Sequence, residues 1–248
     1  MKPPIRVLPW VTPVLENPTT YNGQAMGTFS YDDGRNNVYD YAVPLHERYN
    51  IPATFHIIGS EIRSEPHWHY MEAARLKDLV RRGFEVSSHS YWHGRFPNMT
   101  DAELHWDLHH ANEVIEKTVG ERVTTMAVPN SAYDQRTRNI ARQYYDGVRV
   151  YENLFNTIPP QDRYWLHSAV AVKQNHTASQ LKAVIDNAVS DNAWCIMMMH
   201  GVRPGAPTYY DTTPEILEDI FQHINALGRE VILPVNMRDG LRLSGALG

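Results

Sequence analysis

Only one cysteine, Cys195, stands in the 248-residue chain. That excludes an intrachain disulfide framework and a cysteine-based zinc knuckle. Basic charge is in short supply too: 23 Lys and Arg against 28 Asp and Glu leave a formal charge of -5. Non-specific nucleic-acid binding needs a basic stripe, so no nucleic-acid partner is expected. No apolar run approaches the roughly 18–20 residues of a membrane-spanning helix. The longest, Ala193–Met199, is strand-sized. The first residues, Met-Lys-Pro-Pro-Ile-Arg, lack the apolar core and small-residue cleavage site of a secretory leader, which leaves the compartment open. There is no fixed-period repeat and no low-complexity tract. With 42% hydrophobic and 21% charged residues, the composition is neither that of a disordered chain nor that of a coiled coil. What the chain has in excess is histidine, 13 residues.

Short apolar runs alternate with amphipathic stretches. Strands are expected over Met26–Tyr31, Ala53–Ile58, Phe84–Ser88, Val123–Val128, Gly147–Tyr151, Trp194–Met199 and Glu230–Val235. Helices are expected over Met71–Arg82, Asp101–Val119, Asp134–Tyr145, Ala178–Val189 and Pro214–Leu227, several stopping at a glycine. Such alternation implies right-handed βαβ units and a mostly parallel sheet, either open and doubly wound or closed as a barrel. In both architectures functional groups gather at the C-terminal ends of strands.

Three clusters stand at such ends. Thr28-Phe29-Ser30-Tyr31-Asp32-Asp33-Gly34 places two carboxylates after an apolar strand. Asp and Gly are turn residues, so the pair reads equally as a turn or as a metal ligand beside a proton acceptor. His89-Ser90-Tyr91-Trp92-His93 follows the strand ending at Ser88. Imidazoles at i and i+4 of a helical turn face one way and can share a cation. Random placement of so many histidines already yields close to one such pair. His105 and His109 have the same spacing in mid-helix, and with His110 they read as a solvated face. In the third cluster, Trp194-Cys195-Ile196-Met197-Met198-Met199-His200-Gly201, a buried strand delivers a histidine suited to acid–base work. Met198, on the same strand face as His200, could line a small apolar pocket. Two imidazole nitrogens and one carboxylate oxygen would leave coordination positions open for water and substrate.

Together the three clusters resemble, in order, the first, second and fifth motifs of the NodB-like polysaccharide deacetylases of carbohydrate esterase family 4. The resemblance runs from about Met26 to Arg238, and Ile51-Pro52-Ala53-Thr54-Phe55 looks like the family's second strand. It implies a single-domain, distorted α/β barrel of about seven parallel strands over residues 26–240, with residues 1–25 as an N-terminal extension packed on it. It implies a Zn²⁺ cofactor, or another divalent ion such as Co²⁺, Mn²⁺ or Ni²⁺, held by Asp33, His89 and His93. Asp32 would be the general base, His200 the general acid, and the backbone amide of Asn130 an oxyanion donor. The implied activity is removal of N- or O-acetyl groups from a glycan.

Two departures from the family pattern stand out. Ala127 occupies the position of an arginine that orients the base, and Arg149 on the following strand is the candidate replacement. The motif of an aspartate followed by tryptophan is not recognisable, with Asp162, Glu152 and Trp165 as its stand-ins. Trp92, Tyr133 and Trp165 are candidate stacking surfaces for sugar rings. The alternatives are a hydrolase of the same architecture acting on non-sugar C–N bonds, such as a cyclic imide or acetylated amine, and a catalytically dead glycan-binding module. The presence of both carboxylates and all three site histidines disfavours the last.

Overall fold

The computed structural model describes residues 15–205 and 207–247, so residues 1–14 of the expected extension lie outside the described residues. β1 (Ala25–Tyr31) is followed by α1 (Asn36–Tyr41) and α2 (Val43–Tyr49), β2 (Ala53–Ile57) by α3 (Ala73–Arg81), β3 (Glu85–Ser88) by α4 (Asp101–Val119), and β4 (Thr125–Ala127) by α5 (Gln135–Ala141). β5 (Gly147–Tyr151) leads through β6 (Leu166–Ser168) and β7 (Val170–Ala171) to α6 (Ala178–Ser190) and β8 (Trp194–Met199). The chain ends with the two-residue strands β9 (Gly201–Val202) and β10 (Asp211–Thr212), then α7 (Pro214–Leu227), β11 (Ile232–Pro234) and α8 (Met237–Leu243).

Local sequence accounts for the helix limits. Thr100 and Glu103 form a reciprocal capping box at the start of α4, and Gly120, at φ 80°, ends it. Thr177 and Gln180 do the same for α6, while Thr213 and Pro214 open α7. Along α4, Leu104, Leu108, Ala111 and Ile115 recur at helical spacing and are buried.

The main sheet has nine strands, all parallel where paired, in the order β6-β5-β4-β3-β2-β1-β8-β7, with β11 beside the first half of β1. β6 and β7 are consecutive pieces of one stretch. Residues of β6 pair with β5, whereas the Ala169 and Val172 amides donate to the Ile196 and Met198 carbonyls of β8 at 2.8 and 2.9 Å. One stretch therefore joins the two ends of the sheet and rolls it into a distorted barrel. Every strand read from the sequence is present. The closing stretch and helices α1, α2 and α8 were not read.

Strand alternation sorts the side chains onto two faces. Phe29, Tyr31, Phe55, Val86, Val148 and Met197 belong to the main apolar core shared with helix residues such as Leu76, Leu104, Ile185 and Phe221. The alternate positions Thr28, Ser30, Thr54, His56, Glu85, Ser87 and Thr125 are polar yet buried. Most of them pair with one another. Ser30 Oγ bonds His56 Nε2 at 2.8 Å, and the Thr54 and Thr125 hydroxyls donate to Glu85 at 2.8 and 2.6 Å. Followed towards the C-terminal ends of the strands, this polar file leads to Asp32, His89, Arg149 and His200.

Candidate active site

Strand register sets the level of the site. Tyr31 pairs with Met199, so Asp32 and His200 leave neighbouring strands side by side, and the Asp32 amide donates to the Met199 carbonyl at 2.8 Å. One strand beyond β2, the His89 amide donates to the Ile57 carbonyl at 2.8 Å. The chain then turns sharply at Asp33 (φ 72°) and Gly34 (φ 70°), both in the left-handed region.

The expected helical turn at 89–93 is not formed. Ser90 (φ 64°) and His93 (φ 57°) are left-handed, so a tight loop rather than helical periodicity brings the two imidazoles together. Ser90 Oγ accepts the His93 amide at 2.9 Å. Buried Asp107 of α4 reaches up from below and accepts the Tyr91 and Trp92 amides at 3.0 and 2.9 Å.

Three donor atoms converge. Asp33 Oδ1 lies 3.6 Å from His89 Nε2 and 3.5 Å from His93 Nε2. Both separations are below the ~4.2 Å limit for two ligands each ~2.1 Å from a shared ion. The second oxygen, Asp33 Oδ2, accepts from Arg35 Nε and Nη2 at 3.0 and 2.8 Å, which fixes the carboxylate plane and leaves Oδ1 to the histidines. His89 Nδ1 bonds the Ala127 carbonyl at 2.8 Å. A carbonyl can only accept, so Nδ1 carries the proton of the neutral ring and Nε2 presents its lone pair. Two imidazole nitrogens and a carboxylate oxygen on a fixed frame suit a divalent ion of the zinc type.

Asp32 stands beside this triad, with Oδ2 4.0 Å from His89 Nε2. Its other oxygen is held by Nη2 of Arg149, which is itself almost completely buried and donates through Nη1 to Ser168 at 3.2 Å. Arg149 is the register partner of Ala127, whose small side chain lies beside it. Burial alone would raise the Asp32 carboxyl, but Arg149, with His89, His200 and His56, holds it well below the usual carboxylate range. Asp33 is likewise lowered, burial being outweighed by His89, His200 and Arg35. Burial lowers the His200 imidazole, with both carboxylates acting against it.

Asp32, Asp33, His89, His93, Asn130, Met198 and His200 line one cavity of about 420 Å³. Arg35, Arg95, Tyr151, Lys173 and Tyr210 line it too, and sequence reasoning did not single them out. Arg35 was within reach of it, two residues after Asp33 in the same motif. Asn130 is left-handed (φ 55°), and among the described residues its amide N–H makes no hydrogen bond. His200 packs its ring 4.8 Å from that of Tyr210, and its buried Nδ1 has no partner among the described residues. The stand-ins for the missing motif lie elsewhere: Asp162 pairs with Arg138 at 2.7 Å, and the Trp165 indole donates to Glu152 at 2.8 Å.

The aromatic candidates do not line the cavity. With His93 turned inward, its neighbour Trp92 points out, 60% exposed, its ring 6.3 Å from that of Trp106 and nearly parallel to it on a separate surface pocket. Tyr133 and Trp165 pack on each other at 4.9 Å, and Trp165 borders a third depression. The second histidine pair stays apart from the triad: His105 bonds the Tyr144 hydroxyl at 2.7 Å, and His109 is exposed.

Comparison with known proteins bears on the family and the fold. The family model described as polysaccharide deacetylase matches residues 22–147. Chitin deacetylase 1 of Cryptococcus neoformans is 29% identical over 114 residues, 46% of this chain and 23% of that protein. A bifunctional xylanase/deacetylase of Pseudobutyrivibrio xylanivorans is 25% identical over 111 residues, 45% of this chain and 17% of that one. The chain spans about half the length, or less, of the curated relatives it matches. Among solved structures, a family 4 acetyl xylan esterase from Clostridium thermocellum, in complex with a cobalt ion, superposes with a TM-score of 0.63 at 22% identity, over 89% of this chain and 92% of that one. The Xyl-CE4 domain of a multidomain xylanase from the hindgut metagenome of Trinervitermes trinervoides gives 0.61 at 19% identity, over 90% of this chain and 92% of that one. The polar file of the barrel, the triad at its mouth and the matched family model converge on one conclusion: the chain belongs to the polysaccharide deacetylase family.

Proposed function

We propose that the protein is a divalent-metal-dependent hydrolase that removes N- or O-acetyl groups from a polysaccharide or oligosaccharide. The observation that carries the proposal is the convergence of Asp33, His89 and His93 beside an arginine-paired Asp32, in a cavity of a polysaccharide deacetylase chain. The cobalt ion named with the acetyl xylan esterase supports the metal. Zn²⁺ suits the donor set, and Co²⁺, Mn²⁺ or Ni²⁺ would be held by the same three side chains.

A divalent ion bound there would supply Lewis-acid activation of the acetyl carbonyl and of the attacking water. Asp32, kept ionised by Arg149, takes the proton of that water as it attacks. The Asn130 amide, free of other hydrogen bonds among the described residues, donates to the oxyanion. His200 gives a proton to the departing nitrogen or oxygen; burial lowers its imidazole, and the neighbouring Asp32 and Asp33 charges act against that. Met198 forms an apolar part of the cavity wall, against which an acetyl methyl group would pack. Trp92 with Trp106 would offer a stacking shelf to sugars beyond the cavity.

The test is acetate release from a panel of acetylated chitin, xylan and peptidoglycan fragments, comparing the wild type with Asp32→Asn. Release that needs Asp32 supports the reading. No release from any glycan, with release from small cyclic imides or acetylated amines instead, would replace it with a non-sugar amidohydrolase.

A further inference from the structure

The charges lining the cavity do not balance. Its two carboxylates are both matched, Asp32 by Arg149 and Asp33 by Arg35. Two further cations line it: Arg95, just past the His93 loop, and Lys173, just past β7. No third carboxylate lines it to meet them. Among the described residues the Arg95 guanidinium has no hydrogen-bond or ion-pair partner, and Lys173 Nζ reaches the Tyr209 hydroxyl at 3.1 Å and lies 5.0 Å from the centre of that ring. The whole chain is acidic at -5, so this local positive wall is not a by-product of a basic protein. A divalent ion at the triad would add to it.

A neutral glycan offers such cations only hydroxyl groups. An anionic one offers charge-assisted hydrogen bonds, with a carboxylate or phosphate meeting the planar guanidinium fork and the mobile ammonium of lysine. On the deacetylase reading above, we propose that the substrate is an acetylated glycan bearing an anionic substituent close to the acetyl group, and that Arg95 and Lys173 are the residues that select it. The two cations belong to segments that follow different strands, so they can grip a substituent while the acetyl group lies at the triad.

Three probes test this with the metal-loaded full chain. They are an oligosaccharide of alternating N-acetylglucosamine and glucuronate, its carboxyl methyl ester, and N-acetylglucosamine 6-phosphate. The acid is expected to exceed its ester in kcat/KM by about 10-fold or more, mainly through KM, and the preference should shrink at high salt. Arg95→Ala and Lys173→Ala should each cut kcat/KM for the acid about 5-fold and bring it towards that of the ester, and Arg95→Lys should restore part of it. If the phosphate rather than the acid is preferred, the same two residues select a phosphate. Equal kcat/KM for acid and ester without preference for the phosphate, or a preference untouched by both variants, overturns the proposal while the deacetylase reading stands. No acetate from any probe, while acetylated chitin, xylan or peptidoglycan fragments release it, overturns this proposal alone; no acetate from any of them, with one metal equivalent bound, overturns both.

Discussion

At the scale of single residues, Asp32 and Asp33 are neighbours with different surroundings, and those surroundings separate their roles. Asp33 shares its Oδ1 with two imidazoles, whereas Asp32 faces Arg149. Asp32→Asn should therefore keep the metal and lose roughly 10²–10⁴-fold in kcat, the usual worth of a general base. His93→Ala should lose the metal, read by equilibrium dialysis, and His105→Ala should leave both metal content and turnover as they are. Loss of metal in the His105 variant would mean that the other histidine pair is the ligand pair. Arg149 has a pH signature of its own. A carboxyl held below its ordinary value stays ionised down to low pH, and the advantage is lost as pH falls through the folded value. Arg149→Met should raise the Asp32 carboxyl, so the acid limb of kcat/KM moves to higher pH. An unmoved acid limb would show that the pair does not set the ionisation of Asp32. Breaking so buried a pair should also cost roughly 3–5 kcal/mol of stability.

Elements set what single residues can do, and the loop after β3 shows it most clearly. Its left-handed Ser90 and His93 are held by hydrogen bonds from the Tyr91 and Trp92 amides to Asp107 on α4. Asp107→Ala removes both acceptors and should weaken metal affinity about 10-fold, measured by competition with a chromophoric chelator. Unchanged affinity would show that the loop holds its shape without α4. The strand-end position of both motifs is legible from hydrophobic runs and turn residues alone. The loop's shape is not, because its support lies sixteen and fifteen residues away along the chain. The closing stretch β6–β7 is hidden for a different reason. Its apolar run, Ala169-Val170-Ala171-Val172, is only four residues long and is cut off from Leu166 by His167-Ser168, too short to mark a strand by itself. It is a strand because β5 and β8 offer it two edges. Arg149 was legible as a candidate from its place on the strand after Ala127, whereas its contact with Asp32 depends on the barrel closing. The aromatic candidates rest on residue type alone, and none of the three lines the cavity. With His93 turned into the cavity, the ring beside it faces solvent.

For the molecule as a whole, stability depends on pH through buried imidazoles outside the barrel's polar interior as well as within it. His46 sits outside that interior, buried among Phe29, Phe84 and Phe221, with Nε2 bonded to the Tyr31 hydroxyl at 2.9 Å and Nδ1 to the Ile51 carbonyl at 2.8 Å. Burial pushes its imidazole down to about 3. Its folded-state value lies below its unfolded one, so its contribution to stability is complete above about pH 6.5 and drains away as pH falls towards 3. The slope is ~1.4 kcal/mol per pH unit. His46→Gln should remove that part of the slope in denaturant unfolding followed between pH 7 and 4. An unaltered slope would assign the acid sensitivity to other groups. The central claim remains that the triad holds one divalent ion on which deacetylation depends. Its most direct test is to strip the protein with a chelator, add Zn²⁺ back stepwise, and follow acetate release from an acetylated oligosaccharide. Activity should be absent at the start, rise linearly and level off at one equivalent, and His93→Ala should not recover it. Full activity in the stripped protein, or recovery unaffected by His93→Ala, would contradict the claim.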